Sequence, residues 1–318
     1  MKLHQNIKLF SDTLRAASQH LGIKLVFVEK DYWITLVLSR LAASNYVDET
    51  VFKGGTSLSK GHILIERFSE DVDLAIINNG SKSGNEIKTI IRKVEKAITA
   101  DLEEVPTEGT TSKGSRFRKS VFEYDTIEKG NTGNKLIVEI NSFANPFPYQ
   151  KLWIKSMVSD FLAQTENEKY IIENNLQPFE VNVLSKEQTL LEKLASLIRF
   201  SFDEDPIASI SGKIRHFYDL YFLMNHPACS AFVASDQFRI QLDNLLQHDK
   251  SMFDEPSGWQ SKSIGESPLI TDFESIWKAI KGQYKTELSA LAYQTNIPDE
   301  AGIESVFIGL RNKLSEKS

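Results

Sequence analysis

Two stretches of this chain hold residue types that could do chemistry: Lys53-Gly54-Gly55-Thr56-Ser57-Leu58 and, shortly after, Arg67-Phe68-Ser69-Glu70-Asp71-Val72-Asp73-Leu74. Adjacent glycines let a backbone pass close to a bound anion, and Thr56 and Ser57 can open a helix whose first amide groups point at it. Phosphate is the anion such a cradle suits. In a strand, Asp71 and Asp73 project from one face while Val72 and Leu74 turn to the other. Two neighbouring carboxylates repel each other, and a divalent cation held between them relieves the repulsion. Mg2+, or Mn2+ in its place, takes a few carboxylates plus phosphate oxygens and fits this arrangement best. Cradle and acids lie about one short helix apart, the layout expected of an enzyme that handles a nucleoside triphosphate.

At these residues the chain resembles the nucleotidyltransferase superfamily, and within it the AbiEii/AbiGii branch of abortive-infection and toxin–antitoxin toxins, which includes the MenT toxins. That branch reads K-G-G-T-x-L followed by R-x-S-x-D-x-D-L, and both signatures stand here without a gap. A bare glycine pair or a bare D-x-D carries little weight alone; the joined signatures, a helix-length interval apart, are specific. Three further segments extend the resemblance. Leu136-Ile137-Val138-Glu139-Ile140 is an apolar strand with one carboxylate, costly to bury unless paired or metal-bound. By type and place Glu139 matches the third acid of the superfamily; the alternative is a buried ion pair. Glu192-Lys193-Leu194-Ala195-Ser196 is similar to the family's E-K-L-x-A motif, in which Lys193 would neutralise charge on the departing pyrophosphate; the alternative is a lysine that snorkels over apolar surface. Lys213-Ile214-Arg215-His216-Phe217-Tyr218-Asp219-Leu220 resembles R-H-x-x-D-L and places Arg215, His216 and Asp219 on one helix face. A local Arg215–Asp219 salt bridge is the bland alternative, and His216 fits a structural role better than that of a base.

The elements that must position these groups follow from periodicity. Two helical patterns fill residues 5 to 44, the first with Ile7, Phe10, Leu14 and Ala17, the second with Tyr32, Leu36, Leu38 and Leu41. Between them Glu29-Lys30-Asp31-Tyr32-Trp33 resembles a family segment but reads most simply as a charged helix start. The strand Val51-Phe52-Lys53 feeds the glycine turn and a helix predicted from about Thr56 to Glu66. An amphipathic helix is predicted over 85–104. Residues 105–134 read as a basic, flexible hairpin with Arg116, Phe117, Arg118 and Lys119, either solvated or gripping RNA. Ser185 with Gln188 marks a capped helix over 186–200, with Lys193 on the shoulder of its leucine stripe. Because Lys193 and Asp219 sit at the edges of apolar faces, their replacement by alanine is expected to leave a cooperative fold. Beyond 225 a helical lobe with a long loop over 246–268 is expected, with Trp259 and Trp277 in its core.

With 318 residues, 41% apolar and 25% charged, the chain is an ordinary globular protein of one large or two medium domains. A single cysteine, Cys229, excludes an internal disulfide and agrees with a reducing cytoplasm. No apolar run approaches a membrane span, so no membrane partner is expected. The net charge of −6 argues against a generally basic nucleic-acid binder, though a local basic groove remains compatible with RNA.

These readings combine into an α/β (α+β) nucleotidyltransferase core with a mixed sheet over residues 1–180, and a mainly helical lobe over 181–318 contributing to the active-site cleft. Asp71, Asp73 and Glu139 are the expected metal ligands. Gly54, Gly55, Thr56, Ser57, Ser69 and Lys193 are the expected nucleotide contacts, and Lys193 and Asp219 join the acids as catalytic candidates. The resemblance implies an NTP substrate, a tRNA 3′ end or other RNA as acceptor, a cognate antitoxin and a role in a toxin–antitoxin or phage-defence pair. A small-molecule or protein acceptor, or a non-catalytic nucleotide-binding partner, are the alternatives.

Overall fold

A computed structural model describes residues 1–78, 80, 82–128, 134–293 and 297–315, so residues 129–133, near the end of the expected basic hairpin, lie outside the described residues. The chain divides into two units, residues 1–63 with 68–184 and residues 64–67 with 185–318.

The first unit is built around a mixed sheet. Its elements in chain order are α1 (Ile7–Leu21), α2 (Leu25–Ala42), β1 (Thr50–Lys53), α3 (Gly54–Lys60), β2 (Asp71–Ile76), α4 (Gly84–Ile98), β3 (Glu103–Glu104), β4 (Ser112–Lys113), β5 (Phe117–Glu123), β6 (Lys135–Asn141), β7 (Tyr149–Ile154), α5 (Met157–Gln164), α6 (Glu168–Glu173) and β8 (Phe179–Leu184). The strands lie in the order β3-β5-β6-β2-β1-β8-β7, with β4 on β5. The β2–β6 and β1–β8 pairs are parallel and the rest antiparallel. β2 is therefore central, and its Val72 and Leu74 are fully buried.

The predicted helices form, with informative departures. Asn6 caps α1 by accepting from the Leu9 amide at 3.1 Å, and Phe10, Leu14 and Ala17 are buried, but Ile7 at the helix start is exposed. α2 begins at Leu25, four residues before Glu29, so Glu29, Lys30 and Asp31 lie inside the helix and are buried rather than forming a solvated helix start. The reason is tertiary: α2 packs against α1, α4, α5, β6 and β8, which leaves it little polar face. α3 stops at Lys60, short of the predicted end. Ile63 adopts a left-handed φ of 51°, which no α-helix accommodates, and Ile65 and Arg67 are buried in the second unit. The helix expected over 85–104 ends at Ile98, and its tail becomes β3. The expected flexible basic hairpin contains the ordered strand β5, paired along its whole length with β6.

The second unit is helical: α7 (Lys186–Phe200), α8 (Pro206–Ser211), α9 (Arg215–Asn225), α10 (Pro227–Val233), α11 (Asp236–Met252), α12 (Pro268–Thr271), α13 (Phe273–Leu291) and α14 (Glu300–Ser315). Ser185 caps α7 through the Gln188 amide at 3.1 Å, as the sequence predicts. Phe217, Phe273, Trp277 and Phe307 form its aromatic core, with ring centroids 4.4 Å apart for Phe273 and Phe307. Trp259 is buried too, and its indole donates to the Phe253 carbonyl at 2.9 Å. Residues 64–67 join this unit through an isolated bridge between Arg67 and Ala292 and a 3.1 Å bond from the Tyr293 amide to the Glu66 carbonyl.

Candidate active site

The acids lie in one row across the sheet of the first unit. Asp73 on β2 is the register partner of Glu139 on β6, Lys53 on β1 faces Asp73 from the other side, and Lys119 on β5 faces Glu139. Register partners project from the same face, so four consecutive strands present lysine, aspartate, glutamate and lysine side by side. Asp71, two residues before Asp73, adds a carboxylate on that face. Both aspartates are half-buried, between the fully buried Val72 and Leu74, so the strand keeps its acids toward solvent. Burial, then Glu139 and Asp71, push the Asp73 carboxyl up to about 8, while Lys53 and Lys119 pull it down. Crowding of negative charge is thus the electrostatic signature of the row. Lys119 Nζ stands 3.6 Å from Glu139 Oε2. Glu139 is 24% exposed, so the buried ion pair weighed as its alternative becomes a half-exposed one. The expected basic cluster is taken apart: Lys119 joins the acids and Arg118 turns to Glu95, its Nε 2.8 Å from Oε2.

The glycine turn is shaped around Asp73. Gly54 has φ +77°, and a β-carbon there would lie 2.2 Å from Asp73 Oδ2, so any other residue would be strained and would push the carboxylate aside. Thr56 Oγ1 donates to the Asp71 carbonyl at 2.6 Å and Ser57 Oγ to the Gly54 carbonyl at 2.8 Å, and both side chains are buried. Thr56 therefore ties the turn to β2 and Ser57 closes the turn on itself, leaving the turn's backbone as its route to an anion. Ser69 is half-buried two residues before Asp71.

Three consecutive charges of α2 fasten the segments around this turn. Glu29 accepts from Thr126 Oγ1 and the Ile127 amide, each at 2.8 Å. Lys30 Nζ bonds Glu70 Oε1 at 2.8 Å, next to Asp71. Asp31 accepts from Lys60 at the end of α3 and from the Met157 amide at 2.8 Å. In the sequence these charges read most simply as a helix start; the signal for burial is their position inside a helix with apolar residues on every side.

In the second unit, Arg67 grips Asp219 with two bonds, Nε to Oδ1 at 2.7 Å and Nη2 to Oδ2 at 2.6 Å, and Lys193 Nζ bonds Oδ2 at 2.6 Å. Asp219 is fully buried and Lys193 nearly so. Burial alone would raise the Asp219 carboxyl, but Arg67 and Lys193 outweigh it and hold it well below the ordinary carboxylate range. The local Arg215–Asp219 pair weighed as the alternative does not form: Arg215 bonds Glu287 at 3.0 Å, and the arginine of Asp219 comes from 152 residues away. Lys193 is buried in an ion cluster rather than snorkelling. Burial, then Lys193, lower the His216 imidazole well below its usual range, so it is neutral near pH 7, and its Nδ1 finds no partner among the described residues.

Among the described residues no three Asp, Glu, His or Cys side chains form a complete ligand set for a metal ion. The donors nevertheless suit Mg2+, which is held by one or two carboxylates together with phosphate oxygens of a substrate, and Asp71 and Asp73 supply such a pair beside the glycine turn. A polar cavity of about 300 Å³ between Trp33, Arg40 and Tyr124 lies apart from this row, for none of the three acids lines it.

A central strand carrying paired aspartates, a glycine turn pressed against one of them, and a third acid on the neighbouring parallel strand make up the row. In overall fold the chain is similar to MenT4, a nucleotidyltransferase toxin of Mycobacterium tuberculosis H37Rv, with a TM-score of 0.54 at 15% identity over 96% of this chain and 90% of that one. JHP933 of Helicobacter pylori aligns with a TM-score of 0.46 at 16% identity over 92% of this chain and 94% of that one. No curated protein sequence matches the chain. The family model "Nucleotidyl transferase AbiEii toxin, Type IV TA system" matches residues 36–299, and the chain belongs to this family. It is thus a nucleotidyltransferase of a toxin–antitoxin family, with an NTP as substrate and an antitoxin as partner. No helix among the described residues is long and apolar enough to cross a membrane.

Proposed function

We propose that the protein is a metal-dependent toxin that transfers a nucleoside monophosphate from an NTP to the 3′ end of tRNA or another RNA in the bacterial cytoplasm, as part of a toxin–antitoxin or phage-defence pair. The observation that supports the chemistry best is the registration of Asp73 with Glu139 beside Gly54, which concentrates carboxylates where a glycine backbone can approach a phosphate. Asp71 and Asp73 would hold Mg2+ or Mn2+ together with substrate oxygens, with Glu139 the neighbouring acid of the row. When bound, the ion supplies Lewis-acid polarisation of the phosphoryl oxygens.

The chain's own residues do the rest. Gly54 and Gly55 admit the phosphates to the backbone of the turn, which Thr56 fixes to β2 and Ser57 closes, while Ser69 stands ready to donate to an oxygen. Glu139 is the carboxylate available to take the proton of the attacking hydroxyl. Asp219 uses one carboxylate to hold two cations. A lysine ammonium carries three donors, so Lys193 keeps capacity for an anionic phosphate beyond its bond to Asp219. Neutral His216 serves as a packing group, not as a cation. The RNA acceptor rests on the family resemblance.

Incubation with each radiolabelled NTP and total tRNA tests this reading, with and without excess EDTA. Label in RNA that disappears with EDTA is expected. Undiminished transfer in EDTA overturns the metal-dependent mechanism, and label in a protein or small molecule with none in RNA transfers the same chemistry to a different acceptor.

A further inference from the structure

Lys119 has no place in the sequence signatures, yet the structure brings it to the acids. It is one of two lysines in the row and stands at its outer end, facing Glu139 across the β5–β6 ladder at 3.6 Å. Its neighbour Arg118 makes a close, well-shielded pair with Glu95, which also accepts from Ser120 at 2.6 Å, so that pair behaves as a fixed strut. The Lys119–Glu139 pair differs in every respect that governs release. It is longer than a hydrogen bond, both side chains are about a quarter exposed, and the cation is a point charge on a flexible stem rather than a planar fork. Such a pair offsets charge at little cost to break.

We propose that Lys119 is a resident counter-ion of the acid row: in the metal-free protein its ammonium neutralises Glu139, and it yields that carboxylate when a divalent cation enters beside Asp71 and Asp73. The charge arithmetic supports the exchange. With every group ionised, the three acids Asp71, Asp73 and Glu139 outnumber Lys53 and Lys119 by one, and a divalent ion added without displacement would turn that single negative charge into a single positive one. Lys119 thereby sets how tightly metal binds: it stabilises the protein before loading and competes with the ion during loading. This inference rests on the proposed metal role of the acids.

The test uses MnCl2 alone as probe, with no nucleotide, and reads melting temperature and titration calorimetry on the full chain. Lys119→Met keeps the stem and removes the charge. In EDTA it is expected to melt below wild type, to gain more in melting temperature from Mn2+, and to bind Mn2+ about 5-fold more tightly, at the low end of site–site coupling because the pair is half-exposed. Lys119→Gln provides a second neutral variant should the first fold poorly, and Lys119→Arg, which offers Glu139 a planar fork, should bind Mn2+ no more tightly than wild type. Equal Mn2+ responses in wild type and the neutral variants, or weaker binding in the latter, would overturn the counter-ion role while leaving the metal site intact. If neither wild type nor variants respond to Mn2+, the metal reading itself falls and this inference with it. Asp73→Asn marks that difference, since its response should vanish only if the acids bind the ion.

Discussion

Asp73 and Glu139, on adjacent parallel strands and 66 positions apart in a chain of 318, are register partners, and the Glu139 carboxylate raises the cost of ionising Asp73. Lysines flank the pair on both sides, Lys53 beyond Asp73 and Lys119 beyond Glu139. A protein that retained such repulsion purely for stability would gain by losing it, so removing one acid should separate activity from stability.

Asp73→Asn is accordingly expected to lower transfer by about 100-fold or more, through loss of a ligand to the reacting phosphate's metal, and to raise the melting temperature in EDTA by about 2–4 °C. Thermal melts and single-turnover transfer on the same preparation check both halves. A variant that is equally active, or markedly less stable, contradicts the repelling pair.

Gly54→Ala places a β-carbon 2.2 Å from Asp73 Oδ2 at a residue with φ +77°. Strain of this kind costs about 1–3 kcal/mol and should displace the aspartate from its row. Urea denaturation should show the loss of stability, and transfer should fall together with Mn2+ affinity. Gly22→Ala, where φ is +68° but nothing approaches the added carbon, should cost stability alone.

Asp219→Ala is predicted to be far more damaging to the fold than the sequence suggests. It leaves Arg67 and Lys193 buried without the carboxylate they share, and breaking a buried ion cluster in this way costs about 3–5 kcal/mol. Lys193→Met leaves the Arg67–Asp219 bidentate pair in place and should melt closer to wild type while losing transfer. Denaturant midpoints for the two variants should therefore differ clearly.

The same cluster makes a pH prediction. The Asp219 carboxyl is depressed in the folded state, so its contribution is fully present above the unfolded value of about 4 and is lost as pH falls through the folded value. Stability measured from pH 6 downward should fall more steeply in wild type than in Asp219→Asn, which has no carboxylate to protonate. Parallel curves would show that Asp219 is not a depressed carboxylate.

In bacteria lacking an antitoxin, expression of wild type is expected to slow growth, and Asp71→Ala or Asp73→Ala to relieve it at matched soluble levels. Both aspartates are half-buried, so little apolar burial is lost. Equal growth inhibition by wild type and both variants would assign toxicity to binding or aggregation instead of catalysis.

What the sequence determined was local. Spacing of two put Asp71 and Asp73 on one strand face, because side chains alternate in any strand. Ser185 and the leucine stripe fixed α7 to its residues, since capping and helical periodicity depend only on near neighbours. The joined glycine and aspartate signatures placed the chain in its family before any contact was known. What remained hidden was pairing at long range. That Glu139 lies opposite Asp73, that Lys53 and Lys119 close the row, and that Asp219 binds Arg67 rather than Arg215 all depend on strand register and helix packing, which a linear pattern does not encode. The charges of α2 show the same limit: Glu29-Lys30-Asp31 reads as a solvated helix start until α1, α4, α5 and the sheet surround it, and only then must each charge find a buried partner.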